Sequence, residues 1–174
     1  MERVRILISE EEVNQKIVEL ADRINKDYEG QQVHLVCILK GAAMFMCELA
    51  KRLIVPVSFD FMSVSSYGSG TVSQGVVKII KDLDEPIEGR NVIIVEDIID
   101  TGHTLKYLSE ILKQRNPADV KICTLLNKPS RREEKEVNVD YCAFEIPDEF
   151  VVGFGLDYDQ KYRNYPFIGV VEFD

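Results

Sequence analysis

Behind Ser9 and Glu12, apolar side chains recur at helical spacing at Val13, Ile17, Leu20 and Ile24. Ser9 and Glu12 stand as a capping box, so the pattern predicts an amphipathic helix over roughly residues 10–27. Val33 to Leu39 is short, branched and almost continuously apolar, the pattern of a strand buried on both faces. Lys40-Gly41 follows, and Ala42 to Leu53 reads as a second helix whose Met44-Phe45-Met46 cluster fills the core. Val57 to Val64 and Val76 to Lys81 read as strands on either side of a polar, glycine-rich loop from Ser65 to Gly75. Asn91 to Val95 is another buried strand, and Leu105, Leu108 and Leu112 mark a helix over about 103–115. Lys113 and Arg115 suit the carboxyl end of its dipole, and Asn116-Pro117 stop it. Further strands are predicted at Val120 to Leu126 and near 139–144, 150–154 and 167–172.

Strand–helix alternation as far as residue 126 predicts right-handed crossovers and a mostly parallel sheet. Ligands of such sheets bind beyond the carboxyl ends of the strands. Three chemically loaded segments fall there: Lys40-Gly41, Glu96 to Thr104, and Asn127-Lys128.

Composition narrows the class. The 174 residues and 19.9 kDa suit one domain, 1–174, with a substantial core, and 45% apolar residues argue against disorder. The charged start Met1-Glu2-Arg3-Val4-Arg5 and the lack of any apolar run near ~20 residues predict a soluble, cytoplasmic protein with no membrane partner. Cys37, Cys47, Cys123 and Cys142 form no CxxC pair and read as reduced core thiols. Two histidines are too few for the usual zinc set, and His34, inside an apolar strand, reads as structural. A net charge of -9 argues against nucleic acid as a partner, and at first sight against any polyanion.

The acidic strand end alters that second inference. A buried strand delivers Glu96, Asp97 and Asp100, followed by Thr101, Gly102, His103 and Thr104 at a helix start. An acidic N-cap explains Asp100 but leaves the Glu96-Asp97 pair unexplained. Backbone N–H groups, two hydroxyls and a helix N-terminus suit a phosphate monoester. The two carboxylates suit sugar hydroxyls or magnesium. A site that grips a phosphate and a diol is a ribose 5-phosphate site.

The run Val92 to Thr104 resembles the phosphoribosyl pyrophosphate motif of type I phosphoribosyltransferases: apolar residues, Glu-Asp, two apolar residues, then Asp-Thr-Gly-x-Thr. His103 occupies the variable position and alone reads as a solvent-facing first-turn residue. Lys40-Gly41, Ser66-Tyr67, Lys128, Phe150-Val151-Val152-Gly153, Leu156-Asp157-Tyr158 and Tyr162-Arg163 extend the resemblance along the chain. They make it similar to the hypoxanthine-guanine phosphoribosyltransferases, in their bacterial short-chain form. The resemblance implies an α/β fold with a central mostly parallel sheet flanked by helices. A small hood would be built from the N-terminal segment and roughly 127–174.

It also implies purine salvage. The 5-phosphoribosyl group of phosphoribosyl pyrophosphate would pass to N9 of a 6-oxopurine, releasing pyrophosphate. By resemblance, Asp100 is the general acid/base at purine N7, and Glu96, Asp97 and Asp100 to Thr104 bind the ribose phosphate. Lys40, Gly41 and Arg163 bind pyrophosphate. Lys128, Phe150, Val151 and Asp157 bind the purine, with Lys128 facing O6, although spacing alone makes Phe150 a core strand residue. Glu96 and Asp97 suit magnesium, and Asp157 resembles the residue that holds a second magnesium. Ser66 and Tyr67 belong to a mobile loop, 65–75, that closes over the site. The pyrophosphate loop of this family often carries a cis peptide, and its members are homodimers or homotetramers.

Other readings remain open: a xanthine-preferring enzyme, an RNA-binding regulator on the same fold, and a response-regulator receiver. The charge opposes the second. The third needs an acidic pair where Lys40-Gly41 stands.

Overall fold

The computed structural model describes residues 2–67 and 76–173, with Ser66, Tyr67 and Val76 described by their backbone alone. Its first strand, β1 (Glu2–Ile8), leads into helix α1 (Glu10–Asp27) through the capping box. Glu12 N donates to Ser9 Oγ at 3.2 Å while Ser9 N donates to Glu12 Oε2 at 2.8 Å, satisfying two amides that a helix start leaves without partners. The buried stripe of α1 is Val13, Ile17, Leu20, Ala21 and Ile24.

A six-stranded sheet follows. Its strands are β2 (Val33–Leu39), β3 (Val57–Tyr67), β4 (Val76–Lys81), β5 (Asn91–Ile99), β6 (Asp119–Asn127) and β7 (Tyr141–Glu145), in the order β4-β3-β2-β5-β6-β7. All neighbours run parallel except β3 and β4. Helix α2 (Ala43–Ala50) joins β2 to β3, and α3 (His103–Lys113) joins β5 to β6. Alternate side chains of β2 and β5 bury on opposite faces. Leu35, Cys37, Ile93 and Val95 pack with α1 and α2, whereas Val36, Ile38, Val92 and Ile94 pack with Leu105, Leu108 and Leu112 of α3. A strand buried on both faces has no polar face to show, hence the unbroken apolar runs.

A second, antiparallel sheet has the order β1-β9-β8, from β8 (Val151–Val152) and β9 (Ile168–Phe173). It unites the two ends of the described chain. Arg5 Nε donates to Glu172 Oε1 at 2.7 Å across it. No described helix is long and apolar enough to cross a membrane.

Several expectations are corrected. The strand expected over 91–95 continues to Ile99, because Glu96, Ile98 and Ile99 keep pairing with Thr124, Leu126 and Asn127 of β6. The strand expected to stop at Val64 runs to Tyr67, so Ser65, Ser66 and Tyr67 belong to β3 and pair with Lys78, Val77 and Val76. The rest of the predicted lid, 68–75, lies outside the described residues. The helix expected over 42–53 ends at Ala50, and Lys51 and Arg52 form a turn in which Arg52 N donates to Leu49 O. The strand near 150–154 shrinks to two residues, since Phe154 turns left-handed at φ 49°.

Met44 faces outward while Phe45 and Met46 are fully buried. Among the cysteines, Cys37 and Cys123 are core thiols and burial raises both pKa values, that of Cys37 to about 12. Cys47 is exposed and Cys142 only partly buried, and all four are free. His34 is structural as expected: buried, with Nδ1 2.7 Å from Ser58 Oγ.

Candidate active site

The carboxyl ends of β2, β5 and β6 open on the same side of the sheet, as parallel pairing requires. They carry Lys40-Gly41, Glu96 to Thr104 and Asn127-Lys128. A cavity of about 240 Å³ sits there, with Glu96, Asp100, Thr101, Gly102 and Thr104 in its wall. Gly102 takes a left-handed conformation (φ 93°) at the start of α3, which a side chain disfavours. Among the described residues no side chain caps α3, so its first amides face the cavity unclaimed, as an anion site requires.

Glu96 is buried and Asp97 lies beside it at the rim. Burial, and then the neighbouring Asp97, push Glu96 well above the usual carboxylate range. Burial also raises Asp97, against hydrogen bonds that include the Ile98 amide at 2.7 Å and against the charge of Arg163. Two adjacent carboxyls that resist ionising together attract a cation. Among the described residues no third His, Cys, Asp or Glu joins them. The donor set therefore suits a magnesium ion that brings its remaining oxygen ligands from water and substrate.

The segment after β2 is packed backbone against backbone. The peptide Leu39–Lys40 is cis, one bond earlier than Lys40–Gly41. A Cβ on Gly41 would stand 1.7 Å from Asp97 Oδ2, and one on Gly155 would stand 2.1 Å from Gly41 O. Around this contact gather Lys40, Asp157, Gln160 and Arg163. Gln160 Oε1 accepts from Lys40 Nζ at 3.4 Å and from Arg163 Nη2 at 3.2 Å. Arg163 also donates to Gly155 O at 2.7 Å and pairs with Asp157 Oδ1 at 2.9 Å. Asp157 Oδ2 accepts from Gln160 N at 2.8 Å, so both its oxygens are engaged and it does not converge with Glu96 and Asp97. Two cations aimed at one neutral carbonyl oxygen mark a place for an oxyanion.

On the other flank, Arg131 Nε donates to Asp100 Oδ1 at 2.9 Å. Lys128 is buried, and its Nζ lies 3.4 Å from Asp148 Oδ1. Phe150 is 53% exposed, against the core position its spacing suggests, and meets Tyr158 edge-to-face at 5.6 Å. Val151 is buried in β8. An exposed ring suits the flat face of a planar heterocycle, and an ammonium suits its acceptor atoms. Sequence reasoning missed Arg131, Asp148, Gly155 and Gln160. Arg131 and Asp148 lie 31 and 20 residues from their partners Asp100 and Lys128, so no local pattern announces them.

His103 is the exposed first residue of α3, as expected, and it also has ion-pair partners. Half-exposed, it sets Nδ1 2.8 Å from Glu134 Oε1 and Nε2 2.7 Å from Glu133 Oε2. Glu134 first, then Glu133, raise its pKa above the ordinary 6.5. Lys106 joins the cluster, pairing with Glu134 and Glu136. Thr101 O accepts from the amides of Glu133 and Glu134 at 3.0 and 3.1 Å, so the cluster fastens this segment beneath the phosphate loop. A raised folded-state pKa stabilises fully below 6.5, and that contribution disappears as pH rises through the raised value. His103→Gln is therefore expected to lower Tm at about pH 5.5 and to have no effect near about pH 9. A pH-independent difference in thermal melts would overturn this linkage.

A family model described as a phosphoribosyl transferase domain matches residues 7–159. The hypoxanthine-guanine phosphoribosyltransferase of Streptococcus thermophilus (strain CNRZ 1066) is 53% identical over 168 residues, which is 97% of this chain and 93% of that protein. The Bacillus subtilis (strain 168) protein of the same name is 49% identical over the same shares of each. A crystal structure of a hypoxanthine phosphoribosyltransferase from Staphylococcus aureus superimposes with a TM-score of 0.92 at 48% identity, covering 97% of this chain and 91% of that one. These similarities place the chain in the hypoxanthine-guanine phosphoribosyltransferase family of type I phosphoribosyltransferases.

Proposed function

We propose that this chain transfers the 5-phosphoribosyl group from phosphoribosyl pyrophosphate to N9 of hypoxanthine or guanine, giving IMP or GMP and pyrophosphate. The observation that carries this reading is the meeting, at one edge of the sheet, of an uncapped α3 start with the Glu96-Asp97 pair and a buried lysine head. In this reading the amides and hydroxyls of Thr101 to Thr104 hold the 5′-phosphate. Lys40 and Arg163 turn from Gln160 to the pyrophosphate oxygens. Phe150 stacks on the purine, Val151 bonds it through its backbone, and Asp157 closes its edge.

Lys128 presents only donors, matching O6 of a 6-oxopurine and opposing the amino group of adenine. The Asp100 carboxylate takes or stabilises the N7 proton as N9 attacks C1′ and the C1′–O bond breaks. Glu96 and Asp97 would hold magnesium, which when bound neutralises charge on the departing pyrophosphate. The small sheet β1-β9-β8 with the segment from about 127 serves as the hood, in one domain with the large sheet. Ser66 and Tyr67, at the end of β3, lead into the segment whose role in this reading is to keep water from an oxocarbenium-like centre. Free thiols suit the cytoplasm, and a homodimer or homotetramer is the expected assembly.

The test is direct. The protein is mixed with phosphoribosyl pyrophosphate, magnesium and each of hypoxanthine, guanine, xanthine and adenine, and nucleotide formation is followed. Product from hypoxanthine or guanine, lost on chelating the divalent ion and absent with adenine, is the expected result. A strong preference for xanthine would move the substrate, and no product from any base would leave the regulator reading standing.

A further inference from the structure

We propose that Asp148 is a positioning residue that aims the Lys128 ammonium, and so decides how sharply the protein reads the 6-oxo group. The proposal rests on the reading of Lys128 as the purine contact. The Lys128 side chain is 10% exposed, so its charge has lost most of its water and needs a partner. That partner is Asp148, whose Oδ1 lies 3.4 Å from Nζ. Its other oxygen, Oδ2, lies 3.6 Å from Arg131 Nη1, and Arg131 Nε reaches Asp100 Oδ1 at 2.9 Å. Lys128, Asp148, Arg131 and Asp100 thus alternate in sign, with Asp148 as the inner anion.

The backbone places Asp148 deliberately close. Ile146 N donates to Asn127 O at 2.9 Å, which ties the chain just before Asp148 to the residue just before Lys128. Lys128 N in turn donates to Ile99 O at 2.9 Å, beside Asp100. An ammonium on a four-carbon stem has three rotatable donors and no preferred direction of its own. With one donor held by Asp148, the stem is fixed and a remaining donor can be aimed at O6 of a 6-oxopurine. Without Asp148 the stem is free to rotate, and ordering it falls to the purine on binding.

Asp148→Ala is expected to raise KM for hypoxanthine about fivefold, as for a partly exposed ion pair. The KM for phosphoribosyl pyrophosphate and kcat are expected to stay within about twofold, and Asp148→Glu to recover part of the loss. Lys128→Ala should raise the hypoxanthine KM further, and adding Asp148→Ala to it should change nothing more. If Lys128→Ala leaves the hypoxanthine KM unchanged, the Lys128 reading falls and this one with it. If Lys128→Ala raises it and Asp148→Ala does not, or Asp148→Ala weakens both substrates equally, the positioning role alone is overturned.

Discussion

Replacing Asp100 by alanine is expected to lower kcat for nucleotide formation by about 10²–10⁴-fold, the usual contribution of a positioned acid/base. Binding of phosphoribosyl pyrophosphate should persist. The structure separates the two effects. Asp100 follows the last residue of β5, and its side chain is 45% exposed at the cavity. The phosphate loop is fastened elsewhere, through Thr101 O to the amides of Glu133 and Glu134, and through Gly102 O to the Lys106 amide at 2.9 Å. Neither contact uses the Asp100 carboxylate. Asp100→Asn sharpens the test, since its Oδ1 still accepts from Arg131 while the side chain can no longer take a proton. Single-turnover rates near the wild-type value for both variants would remove Asp100 from the chemistry.

Gly41→Ala is expected to reduce kcat/KM for phosphoribosyl pyrophosphate by about 10–100-fold, the range that corresponds to forced overpacking of roughly 1–3 kcal/mol. The added methyl would lie 1.7 Å from Asp97 Oδ2 and 2.6 Å from its Cγ. Those are atoms of a side chain held by the Ile98 amide at 2.7 Å. On another side the backbone of Gly155 approaches Gly41 O closely enough that a Cβ there would stand 2.1 Å from it. The expected response is displacement of the Asp97 carboxylate from Glu96, which would weaken the divalent-ion dependence together with substrate binding. Asp97→Ala added to Gly41→Ala should restore thermal stability without restoring activity. A normal KM for phosphoribosyl pyrophosphate in Gly41→Ala would show that the contact yields without consequence.

What could be read in advance was what is encoded over short stretches of chain. The capping box at Ser9 and Glu12 and the stripe behind it set α1 to the residue, because helix contacts span three or four positions. The doubly buried strands were legible for a similar reason, as an apolar run needs no knowledge of its neighbours. The phosphate loop packs a strand end, two carboxyls, a glycine and two hydroxyls into Glu96 to Thr104. The excess of acid, which seemed to oppose an anionic ligand, is partly placed there: Glu96 and Asp97 stand side by side at the end of β5, where burial raises both pKa values.

Less legible were features whose cause lies far along the chain. β1 alternates charged and apolar residues too weakly to be recognised. It becomes a strand because β9 lies beside it and Arg5 meets Glu172, 167 residues away. The end of β5 was misplaced since Ile98 and Ile99 keep their ladder only when β6 is present. His103 is the exposed first-turn residue expected, but its partners Glu133 and Glu134 lie 30 and 31 residues along the chain.

By itself, then, the sequence determined the α/β class, the order of the major elements and the Glu96 to Thr104 motif at the start of α3, all consequences of local periodicity and local donor chemistry. Only the tertiary structure decided that Arg131 grips Asp100, that Asp148 holds Lys128, that Gln160 gathers Lys40 and Arg163, and that Gly41 lies wedged between Asp97 and Gly155. Most of these contacts join separate loops, and their partners share no periodic pattern along the chain. Loop closure by the surrounding sheets brings them together, and side-chain direction, invisible in one dimension, then selects which atoms meet.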